Sequence, residues 1–396
     1  MKILKIGTID KAGGAAQVSW DLKTELEKRG HSVSMFVKDK LSDDSRVFEI
    51  PAVFPRQDLI SRILANDIDF YKTDYILKTK EFREADIVHC HNLHGYFFKL
   101  DTLRKISEKK PVVWTLHDMW AVSSHCAYPP EGSLENGFYQ CPELHHYVQI
   151  EWHNEKYLTS KKRKVYGSSK INLTVPSEWL KTLVSKSVLK DKPIKVINNG
   201  IDIRLFKPRD KSKLRQSFGI PEDKKIILFL ASGGTEDPRK GWKFVEPLIK
   251  EFAADDKVLF LSVGGPKEDR MNQNLWFISG TRDRGRIAEI FSLSDAFIFP
   301  SLADNFPLTV LESLASGVPV IAFDTGGVRE EIKHRENGYI AKKKDADDLR
   351  AGLQWFLGLS GQERALMSSR CRQRAAKDFG VEKMVDNYLN LYQSLL

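Results

Sequence analysis

The chain has 396 residues, 41% hydrophobic and 29% charged, with a formal net charge of +9. These proportions exclude a disordered or fibrous chain and allow two or three globular domains. Four cysteines indicate no disulfide framework and no apolar run reaches the roughly 18 residues of a membrane span, so a cytoplasmic protein is expected.

The opening stretch MKILKIGTID, interrupted by Lys5, reads as a strand over 3–6 and not as a signal peptide. Lys11-Ala-Gly-Gly-Ala forms a glycine turn, and Val18, Leu22 and Leu26 mark one face of a helix over 16–29 that Gly30 ends. A strand over 31–37 completes a β–α–β unit. Gly13 and Gly14 at its first crossover let the backbone approach a phosphate or sugar closely, without the GxGxxG of a dinucleotide site.

Short apolar runs follow at 85–88, 112–116, 171–175 and 194–197. Asn-Asn-Gly at 198–200 and the loop through Pro208 mark a hinge. Alternation then resumes, with strands over 225–231, 258–263, 276–279, 296–300 and 318–323 and helices over 285–291 and 309–316. The last forty residues read as helices only. Two successive runs of this kind predict two α/β domains, each with a mostly parallel sheet. Ligands then bind at the carboxyl ends of strands, and the cleft between the domains is the default site.

Charge is unevenly placed. Residues 140–215 hold 17 Lys and Arg against 7 Asp and Glu, with Lys161-Lys-Arg-Lys164 the densest run. Such a segment suits an anionic membrane surface, or is a solvated face. Nucleic acid is not expected, because no recognition motif or interleaved aromatic pattern is present.

Asp304 and Glu312 stand on either side of a helix start set by Pro307, and Gly317 ends that helix. An ionised carboxylate accepts two hydroxyl hydrogen bonds at once, which suits the vicinal hydroxyls of a ribose. Lys240, in Pro238-Arg-Lys-Gly, is a cation on a turn, suited to a diphosphate that gains charge on leaving. His117 follows the buried run 112–116. His89, Cys90, His91 and His94, and the group His125, Cys126, Cys141, His145 and His146, raise metal binding, but their spacing matches no zinc pattern. Asp67-Ile-Asp69 and Asp345-Ala-Asp347 have the D-x-D form but sit in helical or turn context.

Taken together, Pro300-Ser-Leu-Ala-Asp-Asn-Phe-Pro-Leu-Thr-Val-Leu-Glu and the Ala-Ser-Gly-Val-Pro-Val-Ile-Ala-Phe-Asp-Thr-Gly-Gly after it resemble the donor-binding signature of family 4 glycosyltransferases. Gly13-Gly-Ala, Thr115-Leu-His-Asp-Met-Trp, Val196-Ile-Asn-Asn-Gly-Ile-Asp and Asp237-Pro-Arg-Lys-Gly extend the resemblance along nearly the whole chain. It implies an α/β protein of two Rossmann-like domains facing across a cleft (GT-B). The acceptor-side domain would span 1–198, the nucleotide-sugar domain 199–378, and a terminal helix over 379–396 would return to the first.

The implied activity is hexosyl transfer, with retention, from a UDP- or GDP-sugar to a glycan or lipid-linked acceptor in cell-surface polysaccharide synthesis. The protein would then work in the cytoplasm or peripherally on the inner face of the plasma membrane. Glu312 would bind the ribose, and Asp304 and His117 the transferred sugar. Lys240 would stabilise the leaving diphosphate. Gly13, Gly14, Arg239, Arg282 and the backbone of Asn305, Phe306, Pro307 and Leu308 would complete the donor site. No cofactor or catalytic metal is expected. The family usually has Glu where Asp304 stands, and often Arg where Gly234 stands. Competing readings are an epimerase of the same fold and a non-catalytic binding protein.

Overall fold

The computed structural model describes residues 1–230, 236–264 and 269–396. They form two units, Met1–Asn198 with Met384–Leu396, and Asn199–Lys383.

In the first unit the strands are β1 (Lys2–Ile9), β2 (Ser32–Asp39), β3 (Val47–Glu49), β4 (Ile87–Cys90), β5 (Val112–Thr115), a hairpin of β6 (Leu134–Glu135) and β7 (Phe138–Tyr139), β8 (Asn172–Val175) and β9 (Ile194–Val196). Seven of them make one sheet, in the order β3-β2-β1-β4-β5-β8-β9. All its pairings are parallel, with Ile3 of β1 opposite Val33 on one side and Ile87 on the other. Strand order reverses at β1, which opens a crevice at the carboxyl ends of β1 and β4. Helices cover both faces of such a sheet, so β4 and β5 are buried at every position and show no polar alternation. Helix Gly14–Lys28 buries Val18, Leu22 and Leu26, the stripe that the 3.6-residue period predicts.

The second unit contains β10 (Lys225–Leu230), β11 (Val258–Val263), β12 (Arg270–Asn272), β13 (Leu275–Ile278), β14 (Ala296–Phe299), β15 (Val320–Phe323) and β16 (Gly338–Ala341). Their order is β12-β13-β11-β10-β14-β15-β16. Among the described residues the antiparallel pairing of this sheet is at its edge, where Met271 faces Trp276. Order reverses between β10 and β14, again marking the carboxyl ends as the place for a ligand.

Helix Val381–Gln393 is shared between the units. The changeover falls at Met384 and not at 379, because the backbone of Phe379 and Val381 is bonded to Ile201 of the second unit. Beyond it, Tyr392 Oη lies 2.6 Å from His89 Nδ1, and Tyr388 Oη lies 2.9 Å from Thr115 Oγ1.

Two expectations are corrected here. Cys126 and Cys141 are joined as a disulfide. A low cysteine count does not prevent this, because the β6–β7 turn brings the chain back on itself and Cys141 N donates to Ser124 Oγ. The run Lys161–Lys164 is also not a single exposed patch. Lys162 is buried, with Nζ donating to the carbonyls of Trp120 and Ser123 and lying 4.1 Å from the Trp120 ring centre. Lys161 is paired with Asp69 at 3.2 Å, and Arg163 donates to the Asn136 carbonyl. Among the described residues no helix is long and apolar enough to cross a membrane.

His89 and Tyr392 are both fully buried, so removing the phenol oxygen orphans His89 Nδ1. Tyr392→Phe should therefore lower unfolding stability by about 1–3 kcal/mol. Urea denaturation followed by circular dichroism measures it, and an unchanged midpoint would show that this hydrogen bond contributes nothing.

Candidate active site

In the second unit the loops after β10, β14 and β15 are fastened to one another. The turn Pro238–Lys240 is capped by the Asp237 side chain, which accepts from Arg239 N. It ends at Gly241, with φ +77°, where a Cβ would stand 2.1 Å from the Pro300 carbonyl oxygen. The Arg239 carbonyl then accepts from Leu302 N. From the third loop, Thr325 Oγ1 donates to the Ser301 carbonyl and Gly327 N to the Asn305 carbonyl. At Gly326, with φ +57°, an added Cβ would lie 1.9 Å from the Asp304 carbonyl oxygen.

This packing brings Lys240 and Asp304 together, with Nζ 2.9 Å from Oδ2. Both side chains keep some solvent access, at 23% and 17%. Glu312 lies on helix Leu308–Ala315 and is buried. Pro307 is the helix N-cap, and its carbonyl accepts from Val310 and Leu311. The Phe306 carbonyl accepts from Asn199 Nδ2, and the Phe306 ring packs edge-on against Phe379. The carbonyls of Asn305, Phe306 and Pro307 are thus committed to the protein. What this stretch offers a ligand is the first N–H groups of the helix, which have no acceptor within it.

Arg239 is held by Asp237 through Nε and Nη2, so it stands as one half of an ion pair. Arg282 is exposed on the loop that enters helix Arg284–Leu293. Gly234 lies outside the described residues.

In the first unit, the predicted residues sit at the carboxyl ends of β1 and β5. Gly13 precedes the helix that Gly14 opens, and both are exposed. His117 follows β5, with Nε2 3.0 Å from His91 Nδ1 and the two rings stacked. Burial pushes the His117 imidazole down to about 4, so it is neutral at pH 7. Burial also holds His89 and His91 well below the usual histidine range. His94 Nε2 lies 2.8 Å from Asp118 Oδ2, and Trp120 N donates to Asp118 Oδ1. Burial opposes ionisation of Asp118, yet His94 and these hydrogen bonds keep its carboxyl below the ordinary value. The His94–Asp118 pair is long-range, and nothing in the local spacing of the histidines indicates it.

Among the described residues, the side chains that converge as a metal ligand set are His125, Cys126 and Cys141, and the disulfide removes both thiolates. His89, His91 and His94 face different partners. The two D-x-D stretches serve the fold: Asp67 accepts from Trp120 Nε1, and Asp345 caps helix Ala346–Gly358.

A family model described as Glycosyltransferase Family 4 matches residues 12–205, and one described as Glycosyl transferases group 1 matches 210–377. The chain is 26% identical to the putative colanic acid biosynthesis glycosyl transferase WcaC of Escherichia coli K12, covering 100% of both. It is 24% identical to N-acetyl-alpha-D-glucosaminyl L-malate synthase of Bacillus anthracis, covering 99% of this chain and 97% of that one. Among solved structures it is similar to Anabaena Alr3699/HepE in complex with UDP-glucose, with a TM-score of 0.69, 18% identity and 100% of both chains covered.

Close to the Asp304 loop, helix Val328–Glu331 ends in a buried carboxyl, Glu331, with neither oxygen hydrogen-bonded. Burial, and then the Asp304 carboxylate, raise its pKa well above the usual range, so it is held protonated. The unfolded chain releases that proton near the ordinary carboxyl value, so the group's contribution to stability falls as pH rises above it. Glu331→Gln keeps the shape and removes the titration. Its melting temperature relative to the parent should rise between about pH 5 and about pH 8. Parallel curves in a calorimetric pH series would show that Glu331 is not held neutral.

Proposed function

The chain belongs to the family 4 glycosyltransferases and has their GT-B fold, and from that premise we propose that it transfers a hexose from a UDP- or GDP-sugar, with retention, to a glycan or lipid-linked acceptor in cell-surface polysaccharide synthesis. The observation that carries this reading is the Lys240–Asp304 pair, fixed by glycine contacts at the ends of β10, β14 and β15.

The Lys240 cation and the Asp304 carboxylate satisfy one another. A diphosphate at the turn competes for Lys240 and frees Asp304 to accept from sugar hydroxyls. As the glycosidic bond breaks, charge grows on the leaving oxygen, and a cation already in place stabilises that state most. Glu312, close to the helix start, is assigned to the ribose hydroxyls, and the helix N–H groups to the phosphate oxygens. Gly13, Gly14 and the neutral His117 ring are assigned to donor contacts from the first unit. The same-face departure of diphosphate and approach of acceptor need no enzymic base, and Lys240 supplies the charge that a metal would otherwise bring. The printed name of the Escherichia coli relative supports a polysaccharide product, and the UDP-glucose complex of the Anabaena protein supports a uridine donor.

Protein dialysed against EDTA should still be stabilised by one member of a nucleotide-sugar panel in a thermal-shift screen, and should transfer that sugar. No stabilisation by any UDP- or GDP-sugar, or activity that returns only with Mg²⁺ or Mn²⁺, would overturn the donor class or the metal-free mechanism respectively. Lys240→Ala should lower kcat by about 10²- to 10³-fold while changing donor KM far less. If KM alone rises, Lys240 is a docking contact.

A further inference from the structure

Six of the twelve large hydrophobic side chains exposed among the described residues come from two short segments of the first unit. Leu59, Ile60, Ile63 and Leu64 lie on helix Gln57–Ile63 and its end, and Trp152 and Tyr157 at the start of helix Glu155–Ser168. The segments are bonded side by side: Trp152 Nε1 donates to the Ile63 carbonyl at 2.8 Å, Glu151 N to that of Arg62, and Asn154 Nδ2 to that of Ala65. A patch this concentrated is uncommon on a protein that works alone in water. Ile63 at 54% and Trp152 at 50% exposure are its most open members.

The charges around it have one sign in excess. Asp58 is paired with Lys38, Asp69 with Lys161 and Glu151 with Arg62, and Glu155 is hydrogen-bonded with His153. Among the described residues, Arg56, Lys72, Lys156 and Lys164 form no ion pair with an acid; all four are exposed and close in sequence to the apolar residues. Aliphatic side chains on a short helix, amphipathic rings whose polar atoms are bonded inward, and a rim of unopposed cations form the pattern of a surface that lies in a headgroup layer.

We propose that the face built from 56–64 and 152–164 docks the protein on an anionic lipid bilayer. The aliphatic residues and the Trp152 ring enter the headgroup–acyl boundary, and Arg56, Lys72, Lys156 and Lys164 meet the anionic headgroups. The run Lys161–Lys164 does not act as a unit, since Lys162 is interior, Lys161 is paired with Asp69 and Arg163 donates to the Asn136 carbonyl; of the four, Lys164 contributes. This assignment uses the surface of the first unit alone and stands apart from the donor chemistry.

Sedimentation with vesicles of phosphatidylcholine, with and without phosphatidylglycerol, tests it. The full-length protein should sediment with the phosphatidylglycerol vesicles at low salt and far less with phosphatidylcholine alone. Each cation at an anionic surface adds about fivefold to partitioning, so Arg56→Glu with Lys156→Glu should reduce binding by at least about 25-fold. Ile63→Ser with Leu64→Ser should reduce it by at least about tenfold, with the same melting curve and the same turnover of a water-soluble donor and acceptor. The proposal is overturned if the parent protein stays in the supernatant with phosphatidylglycerol at low salt. It is equally overturned if the Ile63/Leu64 variant binds vesicles as the parent does, or if light scattering finds a dimer that this variant dissociates, which would make the face a self-association surface. Loss of transfer activity with vesicle binding intact would count against the transferase reading and leave this one standing.

Discussion

The site in the second unit depends on backbone meeting backbone where no side chain fits. At Gly326 the chain passes so close to the Asp304 carbonyl that even a methyl group would overlap it, and Gly241 stands in the same relation to Pro300. These contacts set the distance between three loops that leave three different strands. Lys240 and Asp304 are 64 residues apart, yet their charged atoms meet because their loops are already registered. A long lysine side chain loses considerable rotamer freedom when fixed, and a rigid turn beneath it reduces that cost. Position comes from the glycines and charge from the side chains.

The first unit solves a different problem, the burial of many polar groups beside the sheet's carboxyl edge. Isolated charges are costly there, and three histidines respond by staying neutral. His89 shares its ring nitrogens between Thr115 and Tyr392, so the terminal helix completes the hydrogen bonding of a central strand. The buried lysines meet acceptors: Lys5 the Ser19 carbonyl, and Lys162 two carbonyls and an indole face. Burial lowers Lys162 to about 8, with Asp67 and Asp118 opposing that fall. The edge of the sheet is thus polar without being strongly charged.

Much was legible in the sequence because its signals are local. Continuous apolar runs mark β4, β5, β11 and β15, since a strand covered on both faces needs no polar side. Val18, Leu22 and Leu26 mark a helix face, and Pro307 with Gly317 brackets helix Leu308–Ala315. The edge strands β3, β12 and β16 escaped notice: β3 has three residues, β12 is exposed throughout, and β16 opens on a glycine with only Tyr-Ile-Ala to mark it. The motifs at Gly13, Lys240, Asp304 and Glu312 were visible as residue types at a spacing, which is enough to place the first three on turns or loops and Glu312 on the helix after Pro307.

What tertiary structure alone decided is who meets whom. No local pattern pairs His94 with Asp118, buries Glu331 near Asp304, joins Cys126 to Cys141, or ties Arg239 to Asp237 instead of leaving it open. Nor does a charge count reveal that one lysine of a four-residue basic run points inward while hydrophobic residues a hundred positions earlier point out. Sequence determined the elements and the kinds of chemistry, because propensity and periodicity act over a few neighbours. Contact partners and exposure depend on how distant segments pack, and a linear pattern does not carry that distance.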